Sequence, residues 1–118
     1  MYEIKIQSSF SAAHNLRNYH GKCENLHGHN WKVEAIFAYD SLDKDGMAID
    51  FKEAKAMLRA VLEEFDHSYL NEAGIFKDIN PTSENMAKFI YDMLKKKDKH
   101  IYSVCVWEND SSCATYRA

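Results

Sequence analysis

The sequence predicts an α+β domain with one four-stranded antiparallel sheet, ordered ββααββ, and both helices on one face. Three observations carry this. Both ends of the chain alternate apolar and polar residues with period two, as half-buried strands do. The middle carries two apolar stripes at helical spacing, each preceded by a capping residue. The 118 residues suit a single domain, here 1–118, with one modest core.

Residues 2–14 read as the first strand, with Tyr2, Ile4, Ile6, Phe10 and Ala12 on one parity and Glu3, Lys5, Gln7 and Ser9 on the other. His14 falls on the apolar parity. A loop spans about 15–25. The second strand covers 27–39, where Trp31, Val33, Ala35, Phe37 and Tyr39 are apolar and His27 and His29 share their face. Gly28 between the two histidines is expected to let the backbone pass close to its neighbour.

Residues 40–49 form a turn-rich connection. Asp50 caps a helix over 51–66, with Glu53 as its capping-box partner and Phe51, Ala54, Leu58, Val61, Leu62 and Phe65 on one stripe. Asp66 and His67 close that helix. Thr82 or Ser83 caps a second helix to about 97, with Met86, Phe89, Ile90, Met93 and Leu94 inward and Lys95, Lys96 and Lys97 at its negative end. The chain finishes in a hairpin, 101–108 and 113–118, where Glu108 ends an apolar stripe.

Composition excludes several classes. One proline and four glycines do not make a disordered chain. No apolar run approaches the ~20 residues of a membrane span, and the alternating N-terminus is no signal peptide, so a cytoplasmic protein with no membrane partner is expected. A net charge of −3 gives no reason to expect nucleic acid. Three cysteines, Cys23, Cys105 and Cys113, are too few for a disulfide scaffold.

The chemistry concentrates in His14 and Cys23-Glu-Asn-Leu-His27-Gly-His29. An H-x-H pair on one strand face, with a third histidine on a pairing strand, predicts a metal site. Three imidazoles leave one position of a tetrahedral zinc open. Zinc is expected over copper or iron because no carboxylate triad or methionine accompanies the histidines. Cys23 has three readings: a small buried hydrophobe, a fourth ligand that closes the site, or an active-site thiolate. Asp66-His67 and Glu108 are either ordinary chain-end polar groups or parts of the site. Arg17, Lys22 and Lys32 are candidate phosphate contacts or plain surface cations, and His20 and His100 have no predicted role.

These motifs resemble one family. Phe10-Ser-Ala-Ala-His14, Cys23-x3-His27-Gly-His29, Asp50-Phe51, Phe65-Asp66-His67-x2-Leu70-Asn71, Pro81-Thr-Ser-Glu84-Asn85 and Val106-Trp-Glu108 occur in the order found in the 6-pyruvoyl-tetrahydropterin synthase family, which includes the bacterial 6-carboxy-5,6,7,8-tetrahydropterin synthases. The resemblance implies a tunnelling fold, trimeric barrels stacked into a homohexamer, and sites at subunit interfaces. It implies zinc on His14, His27 and His29, Cys23 as general base, and Asp66 orienting His67 as a proton relay. It implies Glu108 as the pterin anchor and Thr82, Ser83 and Glu84 as further substrate contacts from a neighbouring subunit. The implied substrate is 7,8-dihydroneopterin triphosphate. The short Cys-x3-His-Gly-His spacing resembles the carboxy branch of queuosine synthesis, which releases acetaldehyde and triphosphate. The pyruvoyl branch eliminates triphosphate only. A non-enzymatic zinc module, closed by Cys23, is the reading from another class.

Overall fold

The computed structural model describes residues 1–18 and 25–118; Cys23, His20 and Lys22 lie outside the described residues. Strands β1 (Tyr2–His14) and β2 (His27–Tyr39) form the antiparallel pair that alternation predicts, in unbroken register from Tyr2↔Tyr39 to His14↔His27. Strand β4 (Ile101–Asn109) adds to the other side of β2, and β5 (Ser112–Tyr116) closes the hairpin on β4.

One element departs from the predicted ββααββ order. Ser68–Tyr69 form a two-residue strand, β3, parallel to Ala12–Ala13, so the sheet has five strands in the order β3-β1-β2-β4-β5. Two residues are too short for a period to show. The pairing follows from the turn before it, where the His67 N–H donates to Ser11 O.

Helix α1 (Phe51–Leu62) is shorter than the predicted 51–66. Asp50 caps it by accepting from the Lys52 N–H at 2.8 Å. Beyond Leu62 the chain turns, yet Phe65 stays fully buried, so the stripe continues in space after the helix has ended. Phe51 opens the predicted stripe but is 60% exposed, while Ala54, Leu58, Val61 and Leu62 are buried. Helix α2 (Ser83–Lys97) starts at Thr82, whose Oγ1 accepts from the Asn85 N–H.

Both helices pack on the face carried by Ile6, Phe10, Trp31, Val33, Ala35, Phe37, Val104 and Val106, all buried in one core cluster. No helix of the described residues is long and apolar enough to cross a membrane. The core holds the sheet rigid where its histidines emerge. Phe10 stacks on Trp31 with ring centroids 6.1 Å apart. The Trp31 indole N–H donates to Ala12 O.

Leu58 is fully buried on the inward face of α1. Leu58→Ala leaves a cavity there and is expected to cost about 2–5 kcal/mol in chemical denaturation. Metal binding by the folded variant should be unchanged, because the site described next hangs on β1, β2 and β4.

Candidate metal centre and active site

Strand parity and register bring the three predicted histidines together. His14 and His27 face each other across the β1–β2 pair, and His29 is two residues further along β2. Their ring centroids lie 4.6 to 5.4 Å apart. The edge of Trp31 packs under His14 at 4.8 Å and His29 at 5.2 Å.

The hydrogen bonds fix how two of the rings present themselves. His14 Nδ1 lies 2.8 Å from Pro81 O, and His27 Nδ1 lies 2.9 Å from Asn25 O. A carbonyl only accepts, so each Nδ1 carries the proton and each Nε2 offers a lone pair. The two Nε2 atoms are 3.0 Å apart. Glu108 Oε1 lies 3.3 Å from His14 Nε2, 3.7 Å from His27 Nε2 and 2.9 Å from His29 Nε2. His29 Nε2 is itself buried, and this 2.9 Å contact is the shortest that the Glu108 carboxylate makes to the three rings. Burial holds the His29 imidazole below its ordinary pKa; Glu108 opposes that shift, while His27 and His14 reinforce it.

Four electron-pair donors therefore meet within 4.8 Å of one another, with His14 buried and the others part-buried. A cation reconciles such a group, and imidazole nitrogens whose other N–H is bonded to a carbonyl are ready-made metal ligands. Glu108, singled out in the sequence because a carboxylate ends an apolar stripe, is placed beside the three histidines. Glu108 ends β4 on the same parity as Val104 and Val106, and β4 lies next to β2, so its carboxylate arrives beside the imidazoles.

Glu108 also borders a cavity of about 160 Å³ with Ser83, Glu84, Ser112, Cys113 and Ala114. Of the three helix-start candidates, Ser83 and Glu84 line this cavity with Glu108. The Thr82 hydroxyl is engaged as the cap of α2.

Asp66 and His67 lie beyond the helix they were expected to close, in the turn before β3. His67 has φ +57°, a left-handed conformation that costs a non-glycine residue energy and is concentrated at functional positions. Asp66 Oδ1 accepts from the Ser11 N–H at 2.9 Å and lies 3.0 Å from His67 Nδ1. The Ser11 N–H, followed by the His67 ring, holds the Asp66 carboxyl below its ordinary pKa. The His67 side chain is 82% exposed. It borders a cavity with Ser11, Ala12, Ala13, Gly28, Asn30 and His29, so the dyad and one histidine of the cluster line the same hollow. The dyad itself stands at the β3 side of β1, tied there through Ser11.

A Cβ at Gly28 would meet Ala12 O at 3.9 Å, an ordinary contact. Close backbone approach is thus not why glycine stands there; its missing side chain leaves room in the cavity beside His67. Arg17, a candidate phosphate contact, donates instead to Ile79 O and Asn71 O. Lys32 lies over the Trp107 ring at 4.6 Å. His100 pairs with Asp98 at the far end of β2.

The match to the 6-pyruvoyl tetrahydropterin synthase family model runs over residues 3–118. A Synechocystis protein named 6-carboxy-5,6,7,8-tetrahydropterin synthase is 36% identical over 122 residues, covering 98% of this chain and 93% of its own. A Homo sapiens protein named 6-pyruvoyl tetrahydrobiopterin synthase is 31% identical, covering 98% and 90%. The solved Caenorhabditis elegans 6-pyruvoyl tetrahydropterin synthase superposes with a TM-score of 0.88 at 28% identity, over 99% of this chain and 95% of that one.

The depressed Asp66 pKa fixes a sign. A carboxylate stabilised in the fold contributes above its unfolded pKa of roughly 4, and that contribution is lost as pH falls through the lower folded value. Asp66→Asn keeps an acceptor for the Ser11 N–H and loses the charge. Thermal melts between about pH 2 and 6 should show a shallower acid limb for this variant than for the parent.

Proposed function

The chain belongs to the 6-pyruvoyl tetrahydropterin synthase family, and on that footing we propose that it is a zinc-dependent lyase acting on 7,8-dihydroneopterin triphosphate. Its products would be 6-carboxy-5,6,7,8-tetrahydropterin, acetaldehyde and triphosphate, on the route to queuosine and other 7-deazapurines in the cytoplasm. The observation that carries this reading is the convergence of three ring nitrogens and the Glu108 carboxylate beside a cavity shared with Ser83 and Glu84.

His14, His27 and His29 would hold the zinc. Bound there, the metal supplies Lewis acidity toward the hydroxyl oxygens of the substrate side chain. Glu108 accepts from a pterin ring N–H and the adjacent amino group, a planar two-point match, with Ser83 and Glu84 against the same ring. That placement brings the substrate side chain next to the histidines. Cys23 then takes the side-chain proton as general base. Asp66 accepts from His67 Nδ1–H and leaves His67 Nε2 to carry protons to and from the reacting carbons.

His67 is largely exposed at the β3 side of β1, and the dyad there would serve the Cys23 and zinc of a neighbouring chain. This supports an obligate homo-oligomer, which we take to be a homohexamer of two trimers. The sheet ends in edge strands β3 and β5, and pairing them between subunits would remove both exposed edges.

The carboxy branch is favoured by the Cys-x3-His-Gly-His spacing and by the name of the Synechocystis relative. The second reading, pyruvoyl synthesis, is favoured by the name of the human one. Incubation of the zinc-loaded protein with dihydroneopterin triphosphate, with products identified by mass, decides between them: 6-carboxytetrahydropterin and acetaldehyde are expected, and 6-pyruvoyltetrahydropterin would reject the carboxy assignment. Cys23→Ala should keep its zinc, by elemental analysis, and lose turnover by at least about 10²-fold. Loss of metal and fold together would instead indicate a structural zinc module.

A further inference from the structure

The histidine cluster depends on a polar clamp behind it. When β1 ends at His14, the backbone of the next residues leaves the sheet without strand partners. Two side-chain carboxamides take over. Asn71 Oδ1 accepts from the Asn15 N–H at 3.0 Å and Asn71 Nδ2 donates to Asn15 O at 2.8 Å. Asn80 Oδ1 accepts from the Arg17 N–H at 2.7 Å and Asn80 Nδ2 donates to Arg17 O at 3.0 Å. Each carboxamide thus replaces one residue of an adjacent strand, satisfying both backbone groups with one planar unit. The Arg17 guanidinium locks the two together, donating 2.9 Å bonds to Asn71 O and Ile79 O.

This clamp ends on the metal cluster. Asn80 O accepts from the Thr82 N–H at 2.9 Å, closing a γ-turn around Pro81, and from Asn85 Nδ2 at 2.8 Å. The proline ring fixes φ of the central residue and the turn fixes its ψ. The Pro81 carbonyl is thereby aimed at His14 Nδ1, 2.8 Å away. That bond decides which nitrogen of the buried His14 ring carries the proton and which faces Glu108 and His27.

We propose that Asn80, supported by Asn71 and Arg17, is a positioning residue for the metal centre: it holds the Pro81 carbonyl against His14 and so fixes the tautomer and orientation of that ligand. The inference rests on the metal-binding reading of the cluster, and it touches neither substrate nor metal directly. It gives Asn71, Asn80 and Arg17 a role that turn propensity does not.

The test uses Asn80→Ala and, to keep the acceptor for the Arg17 N–H while losing the donor, Asn80→Asp. Leu58→Ala serves as a control that lowers stability away from the site. Two quantities are measured on each folded protein: zinc affinity by competition with a chelator, and the His14 tautomer in the metal-free protein by long-range ¹H–¹⁵N correlation. Asn80→Ala should weaken zinc binding by about 10- to 100-fold and convert His14 from the pure Nδ1–H form to a mixture of tautomers. Asn80→Asp should fall between it and the parent. Leu58→Ala should change neither quantity. Parent-like affinity and tautomer in Asn80→Ala overturn the proposal, as does an equal loss in Leu58→Ala. If the parent itself binds no zinc, the metal reading fails, while the tautomer measurement still accepts or rejects the clamp.

Discussion

Two imidazoles that have each donated their Nδ1–H to a carbonyl meet with their Nε2 lone pairs 3.0 Å apart. The Glu108 carboxylate adds a third electron-rich atom, and His29 Nε2 a buried fourth. Uncompensated, this arrangement is repulsive; a divalent cation converts every contact in it to attraction. Much of the surrounding structure holds that group together. The β1–β2 register sets His14 opposite His27, the core face sets Trp31 beneath them, and β4 brings in the carboxylate. A one-residue slip of β1 against β2 would move His14 to the other face, so the buried parity of Phe10, Ala12 and Trp31 fixes the chemistry as well as the core.

What was legible in the sequence follows from which interactions are local. Both long strands were readable to their ends, because alternation over thirteen residues leaves one register that buries Ile6, Phe10, Trp31 and Val33 together. The two H-x-H rings and His14 came with them. The end of α1 was less legible: Phe65 keeps helical spacing with Leu58 and Leu62, but the chain reaches the core there through a turn. Strand β3 could not be read, since two residues carry no period and its pairing is with a distant segment.

The polar framework was the least legible part. Asn71 and Asn80 look like ordinary turn formers, and Arg17 like a surface cation. Their partners, Asn15, Arg17 backbone, Ile79 O and Asn71 O, lie up to sixty-three positions away in sequence. A carboxamide announces that it will form hydrogen bonds; only tertiary placement says to what. Glu108 lies between these cases. Its parity marked it as unusual, and the adjacency of β4 to β2 decided that it meets the histidines.

The Asp66–His67 dyad stands at the β3 side of β1. Asp66 is tied to the edge of the sheet through Ser11, and His67 accepts a left-handed backbone to stand there almost fully exposed. Strain and exposure of this kind bring an isolated chain no stability. They make sense where another chain covers the residue. On that view the histidine cluster, carried by β1, β2 and β4, and the dyad, tied to β1 through Ser11, are two half-sites. Association of two chains would then assemble chemistry as well as bury the edge strands.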